Sequence, residues 1–165
     1  MAERLRRQAD RSRPVGEGSV HATHWWIADG ETYLGAIDLR HSLNAFLLEG
    51  GGHIGYSVRP SARRRGLASW ALGAVLLKAP EFGLDRVLLT CDDGNVGSAR
   101  TIERNGGVLE DVRSTETGVK RRYWITIASP TSASPTLRAA RETAAPPEVG
   151  TVLPLPGERI GQRPL

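Results

Sequence analysis

The stretch Val58–Leu77 reads VRPSARRRGLASWALGAVLL, and it decides how the rest of the chain is interpreted. Arg63 to Arg65 are consecutive arginines that stand directly before a glycine and an almost wholly apolar run. Adjacent like charges repel one another, so a bound anion would compensate them. The run from Gly66 to Ala79 predicts a helix, and the unpaired N–H groups at a helix start favour anions, phosphate above all. The stretch therefore predicts a phosphate site at a helix N-terminus.

The composition is that of a soluble globular protein, with 39% hydrophobic and 24% charged residues in a chain of 165. This length allows one domain with a real core. The single cysteine, Cys91, excludes an intramolecular disulfide and a zinc site built from several thiolates. We expect a reducing, cytoplasmic location and no metal. No apolar run reaches membrane-spanning length and the first residues lack a signal-peptide pattern, so we expect no membrane partner.

The net charge of +4 is spread along the chain, and residues 20–128 are nearly balanced. Nucleic-acid binders usually show a broader positive field. A DNA-recognition helix should also expose polar side chains to base edges, whereas the helix after Gly66 has almost none. We therefore expect no nucleic-acid partner, and the arginines indicate a local anion site.

Three segments differ in composition. Residues 1–19 form a basic segment with a helical pattern, residues 20–128 carry the predicted strands and helices, and residues 129–165 are rich in proline and alanine. The last segment predicts a flexible tail, and its prolines argue against strand pairing. The middle segment predicts the order strand, strand, strand, helix, strand, helix, strand, strand. That order indicates an α/β (α+β) fold with a mixed, mostly antiparallel sheet, whose centre is a parallel strand–helix–strand unit at 52–91.

The pattern Arg63-x-x-Gly66-x-Ala68 resembles the [RQ]-x-x-G-x-[GA] acyl-CoA pyrophosphate loop of the GNAT superfamily of acetyltransferases. The surrounding sequence GHIGYSVRPSARRRGLA resembles the family's fourth strand and the loop and helix after it. VLLTCDDGNVGSARTIERNGG resembles the next strand and helix, and RRYWI the closing strand. The resemblance covers roughly residues 22–128. It implies a GNAT-like acyl-CoA N-acyltransferase fold, with acetyl-CoA as co-substrate.

The resemblance also implies which residues contact acetyl-CoA. The backbone of Val58 would bind the pantetheine arm, held between two splayed strands, and Asn95 and Ser98 of the second helix would contact the arm or the phosphates. The loop and first helical turn would hold the pyrophosphate through Arg63, Arg64, Arg65, Gly66, Leu67, Ala68 and Ser69.

Acetyl transfer to an amine needs a base for the amine and a proton for the leaving thiolate. By resemblance the base position is His53, which a structural role explains about equally well, and Glu49 on the preceding loop is the runner-up. The family's tyrosine acid corresponds to Ile102, so the usual acid is missing. Water, Tyr56 or Tyr123 would then supply the proton, or the protein is a poor catalyst.

The polar residues Arg40, His41 and Asn44 end a predicted strand and would line the acceptor side, although a solvated strand end explains them at least as well. The acceptor is expected to be a small-molecule or protein amine.

The family's first strand and helix have no counterpart here, and residues 1–19 are interpreted as their remnant. This difference indicates a start site placed too late, a decayed protein, or a partner chain that fills the gap, such as a homodimer that covers the exposed sheet edge. Two functions remain: an N-acetyltransferase, or a non-catalytic module that binds acyl-CoA or a partner.

Overall fold

The computed structural model describes residues 2–127 and the backbone of residues 151–154. The predicted order of elements between residues 20 and 128 is confirmed. The helices are α1 (Ala2–Ala9), α2 (Leu67–Leu76) and α3 (Val96–Arg104); the strands are β1 (Ala22–Asp29), β2 (Thr32–Arg40), β3 (Ile54–Val58), β4 (Arg86–Asp92), β5 (Val108–Thr115), β6 (Gly118–Thr126) and β7 (Thr151–Pro154). A wide helical turn, Leu47–Gly51, precedes β3, and short 3₁₀ turns cover Pro60–Ala62 and Ala79–Phe82.

The strands form two sheets in which every neighbouring pair is antiparallel. The first has the order β3-β2-β1-β7 and the second the order β4-β6-β5. One hydrophobic core joins them, and it includes Ile37 and Tyr123 from the two sheets and Leu72 from α2. Val87 and Leu89 on β4 are fully buried, as their continuous apolar run predicts. The α+β class and the antiparallel pairing are those that the sequence predicts. The predicted single mixed sheet is instead two antiparallel sheets among the described residues, because β3 and β4, the strands of the predicted parallel unit, belong to different sheets.

The strand–helix–strand unit at 52–91 bridges the two sheets, because β3 lies in one and β4 in the other. The strands meet where the backbone N–H of His53 donates to the Leu88 carbonyl at 2.7 Å. Gly52 allows this approach: its φ is +67°, and an added Cβ would lie 2.6 Å from the Leu88 oxygen. Beyond His53, among the described residues, no ladder joins β3 to β4. We call the space between Ile54–Val58 and Arg86–Asp92 the β3–β4 gap.

Strand β7 pairs with the outer edge of β1, with Trp25 opposite Pro154 and Ala28 opposite Thr151. The expectation that prolines prevent strand pairing in residues 129–165 is therefore wrong for these four residues. Pro154 stands at the end of the strand, where a missing N–H disrupts the ladder least. The rest of that segment lies outside the described residues. A homodimer that covers a sheet edge stays a prediction.

In the part of the chain that the structure describes, no helix has the length and hydrophobicity of a membrane span. The same residues contain no group of three or more His, Cys, Asp or Glu side chains that could hold a metal ion.

Candidate functional site

The N-terminus of α2 is open to solvent. Gly66 is its N-cap, with φ 76° and ψ 0°, a left-handed conformation that glycine adopts without strain. No side chain of the described residues caps the helix, and its first hydrogen bond runs from the Trp70 N–H to the Gly66 carbonyl at 3.0 Å. The amides of Leu67, Ala68 and Ser69 therefore precede the helical ladder. A Cβ built on Gly66 would meet no atom of the described residues within 4 Å, so this helix end has room for an anion.

Three exposed arginines surround this helix start. The Nε of Arg63 donates to the Val58 carbonyl at 3.1 Å, which ties the loop to the end of β3. Arg64 has a φ of 61°, a left-handed conformation that is uncommon and strained for a residue with a Cβ. Neither Arg64 nor Arg65 forms a hydrogen bond or ion pair with any described residue. Their charge is therefore available to a ligand.

The start of α3 faces the β3–β4 gap. The Oδ1 of Asn95 accepts a hydrogen bond from the Ser98 N–H at 3.0 Å, so Asn95 caps the helix as its position predicts. The Oγ of Ser98 lies 2.6 Å from the hydroxyl oxygen of Tyr56 on β3. The structure therefore places Ser98 next to β3 at the gap, whereas the Asn95 carboxamide oxygen is used to cap α3.

Asn105, which sequence reasoning missed, ties α3 to the first turn of α2. Its Nδ2 donates to the Ser69 carbonyl at 3.2 Å and lies 3.1 Å from the Ser69 Oγ. It also donates to the Thr101 carbonyl at 2.9 Å. The sequence gives only a weak signal, because an asparagine before two glycines predicts a helix end and no more. Asn105 fixes the helix turn whose amides form the open N-terminus.

His53 is buried, with 5% of its surface exposed. Its Nδ1 accepts a hydrogen bond from the Leu88 backbone N–H at 2.9 Å, and its ring meets Trp124 edge-on at 6.3 Å. Burial, with a smaller contribution from the positive charge of Arg40, lowers the pKa of His53 to about 4. The imidazole is thus neutral at pH 7, with Nδ1 occupied and the proton on Nε2.

Glu49 lies on the Leu47–Gly51 turn, with its carboxylate half exposed and Oε1 3.0 Å from Nη1 of Arg113. It lines a cleft of about 450 Å³ between this turn and the β5–β6 hairpin. The turn is attached to β4, because the Thr90 hydroxyl donates to the Gly50 carbonyl at 2.6 Å. The lining residues are Ala45, Phe46, Glu49, Gly50, Ser114, Thr115, Glu116 and Thr117.

The two candidate acids, Tyr56 and Tyr123, and Ile102, which corresponds to the family's tyrosine, have different surroundings. Ile102 is fully buried. Tyr123 is also buried; its hydroxyl donates to Oε1 of Glu103 at 3.2 Å, and burial raises its pKa. Tyr56 is partly buried beside Ser98, and burial raises its pKa as well. Only Tyr56 of the two tyrosines reaches the start of α3.

Arg40 and Asn44 hold the Leu47–Gly51 turn in place. The Nη1 of Arg40 donates to the carbonyls of Gly51 and Gly52 at 2.8 and 3.0 Å. The Oδ1 of Asn44 accepts from the Leu47 N–H at 2.9 Å. Neither residue lines the cleft. Their contact with an acceptor stays a prediction, and their observed role is to support the turn that carries Glu49.

His41 directly follows β2 and is partly buried. Its Nε2 lies 2.9 Å from the Thr23 Oγ1, and its ring stacks on Phe82 with centroids 4.1 Å apart. Burial is the main cause that lowers the pKa of His41 to about 4, and the positive charge of Arg11 adds to it. Its contact with an acceptor also stays a prediction.

A family model described as an acetyltransferase (GNAT) domain matches residues 2–108 of this chain. None of the curated proteins compared with the chain matches it.

Several solved structures resemble the chain in fold. One is described as RimL, a ribosomal L7/L12 alpha-N-protein acetyltransferase in complex with coenzyme A, with 19% identity and a TM-score of 0.54; 64% of this chain and 62% of that chain are covered. A second, from Vibrio cholerae, is described as a ribosomal-protein-serine acetyltransferase, with 18% identity, a TM-score of 0.52 and 64% of each chain covered. A third, from Salmonella typhimurium, is described as modifying the N-terminal serine of L7/L12, with 19% identity, a TM-score of 0.53, and 65% of this chain and 64% of that chain covered. The chain thus spans less than two thirds of the length of each.

Proposed function

The chain belongs to the GNAT acetyltransferase family, and from this premise we propose that it transfers an acetyl group from acetyl-CoA to a primary amine by direct attack in a ternary complex. The observation that carries the proposal is the open N-terminus of α2. Left-handed Gly66 and three exposed arginines surround amides that lack helical partners. Oriented N–H groups, a helix dipole and guanidinium groups together suit a pyrophosphate.

The same arrangement suggests where each part of acetyl-CoA binds. The amides of Leu67, Ala68 and Ser69 and the side chains of Arg64 and Arg65 would hold the pyrophosphate. Arg63 would stabilise the loop through Val58, whose strand forms one wall of the β3–β4 gap. The pantetheine arm would lie in this gap, near Ser98 and the Asn95-capped start of α3, which contacts Tyr56 on β3.

For the base, the contacts favour Glu49 over His53. A base must reach the amine and accept a proton, and Glu49 has a half-exposed carboxylate on the wall of a cleft. His53 is buried, has a pKa of about 4 and uses Nδ1 to accept from the Leu88 N–H. The Glu49 turn contacts Thr90 on β4, two residues beyond Leu88, where the strands meet. The amine would therefore enter next to the point where the gap begins.

The acceptor would be a small molecule or protein that carries a protonated amine. Two carboxylates, Glu49 and Glu116, line the cleft, and none of the described residues that line it is a lysine or an arginine. The exposed ring of Phe46 adds an apolar surface on the same wall. A protein amine is supported by similarity in fold to RimL, which is described as acting on a ribosomal protein. The single cysteine supports a reducing, cytoplasmic location.

The test is a CoA-release assay with acetyl-CoA and a panel of small amines and peptides with free N-termini. We expect turnover with at least one primary amine and its loss in Glu49→Gln, which removes the base and keeps the shape. Glu103→Gln is a control for losing a carboxylate elsewhere on the fold. Unchanged turnover in Glu49→Gln, with loss in His53→Asn at unchanged stability, would assign the base to His53.

A non-catalytic acyl-CoA-binding module is the second candidate. The observation that favours it is Ile102, a fully buried aliphatic residue at the position that corresponds to the family's acid. This candidate predicts that acetyl-CoA binds and that no amine in the panel releases CoA above the rate without protein.

A further inference from the structure

Tyr56 links β3, one wall of the β3–β4 gap, to the start of α3. It lies on β3, three positions beyond His53, where β3 and β4 already belong to separate sheets. Its hydroxyl oxygen is 2.6 Å from the Ser98 Oγ and 3.4 Å from the Ser98 carbonyl oxygen. Ser98 stands in the first turn of α3, the helix that follows β4. A phenol on β3 is thus held by a hydroxyl on the helix that follows β4.

The other two tyrosines of the chain make contacts away from the gap. Tyr33 is half exposed on β2, where its ring meets Trp26 edge-on at 6.2 Å. Tyr123 is buried, and its hydroxyl donates a hydrogen bond to Oε1 of Glu103. Burial raises the pKa of Tyr56, so its hydroxyl stays protonated throughout the physiological pH range. Among the three tyrosines, Tyr56 therefore has the position and the protonation state of an acid that serves the gap.

We propose that Tyr56, held by Ser98, donates the proton to the leaving sulfur during acetyl transfer, an inference that rests on the proposed function. The amine nitrogen attacks the thioester carbonyl carbon, the C–N bond forms and the C–S bond breaks. The electron pair of that bond goes to sulfur, which takes the proton from the Tyr56 hydroxyl. The proton that the amine gives up to its base passes to solvent, and solvent returns one to the phenolate, so protons balance.

Ser98 has two ways to help this transfer. Its hydroxyl can donate to the phenolate that forms, and its backbone N–H is fixed by the Asn95 cap, so the hydroxyl starts from a defined position. The phenolate would also form beside the first turn of α3, where the helix dipole favours negative charge. Hydrogen bonds to the charged form make Tyr56 a better acid than burial alone would allow.

The experiment compares wild type, Tyr56→Phe and Ser98→Ala, with Tyr33→Phe as the control, using acetyl-CoA and an amine that the wild type accepts. We expect kcat to fall about 100-fold in Tyr56→Phe, the lower end for a lost general acid, with the Kd for CoA changed less than about twofold. Ser98→Ala should lie between Tyr56→Phe and wild type, and Tyr33→Phe should match wild type.

A second donor separates proton donation from a structural role. S-Acetyl-4-nitrothiophenol releases an acidic thiol that needs no proton at neutral pH, so Tyr56→Phe and wild type should then react at similar rates. Equal losses with both donors, or a wild-type kcat for Tyr56→Phe with acetyl-CoA, would overturn the inference while leaving the proposed function intact. If wild type releases no CoA with any amine, the proposed function fails and the inference fails with it.

Discussion

The Nδ1 of His53 accepts a hydrogen bond of 2.9 Å from the backbone N–H of Leu88, and the His53 N–H donates to the Leu88 carbonyl at 2.7 Å. These two bonds join the sheets at the start of the β3–β4 gap. A buried backbone N–H that loses its partner is costly, so the imidazole has a structural task at this point.

His53→Ala should therefore destabilise the fold by about 1–3 kcal/mol, because it leaves the Leu88 N–H without its acceptor. His53→Asn should lose less of the free energy of unfolding, since an amide oxygen can replace Nδ1 as the acceptor. Urea unfolding measures both. If His53 is instead the catalytic base, His53→Asn will abolish turnover at wild-type stability.

The free energy of unfolding should depend on the two histidines whose pKa is lowered. His53 and His41 each have a pKa of about 4, against an ordinary value of 6.5, because burial favours the neutral ring. Between pH 4 and 6.5 the unfolded chain binds more protons, so their contribution is complete above pH 6.5 and is lost as the pH falls towards 4.

Urea unfolding between pH 5.0 and 7.5 measures this dependence. Each histidine can contribute a slope of up to about 1.4 kcal/mol per pH unit. In His53→Asn the free energy of unfolding should rise less steeply with pH, because the contribution of one histidine is lost. An equal slope in wild type and His53→Asn would show that the pKa of His53 is the same in the folded and the unfolded protein.

Asn105→Ala should weaken CoA binding although Asn105 is not a proposed ligand contact. Its Nδ2 fixes Ser69 in the first turn of α2, and one lost hydrogen bond of this kind is worth about 1 kcal/mol, or roughly fivefold in Kd. Gln8→Ala, which removes side-chain bonds to Val20 and His24 near α1, is the control for a general loss of stability. Equal Kd values for the two variants would contradict this role.

The arginines from Arg63 to Arg65 should increase the affinity for CoA by contacting its phosphates. Replacing Arg64 and Arg65 by Gln should raise the Kd for CoA about tenfold or more and weaken its dependence on salt. The same variant should bind pantetheine, which lacks the phosphates, as wild type does. Arg13→Gln, in the 1–19 segment, is the charge control. An equal loss for CoA and pantetheine would show that the substitutions damage the loop itself.

The sequence predicts the central elements because their signals are local. The buried apolar run of β4, the glycine before α2 and the Asn95 cap each depend on a few neighbouring residues. The predicted phosphate site accounts for the glycine at position 66, because a Cβ there would keep a ligand away from the backbone. The structure adds a second reason, since Gly66 has a left-handed φ.

The partners of the polar residues depend on contacts distant in sequence. The Leu88 N–H lies 35 residues from His53, and the amide of Asn105 lies 36 from Ser69. No periodicity in the sequence predicts these pairs. The same is true of the 151–154 strand on β1, because a run of four residues that ends in proline has no strong strand signal of its own.

The most direct measurement of the central claim is a calorimetric titration of acetyl-CoA into wild type, Gly66→Asn and Gly83→Asn. Gly66 and Gly83 have φ values of 76° and 77°, and in the part of the chain that the structure describes a Cβ at either would meet no atom within 4 Å. Asparagine tolerates this conformation, so both variants should fold. We expect one site in wild type and in Gly83→Asn, and at least a tenfold loss of affinity in Gly66→Asn, whose side chain occupies the open helix end. Folded wild type that binds no acetyl-CoA, or equal affinity in all three proteins, would contradict the account.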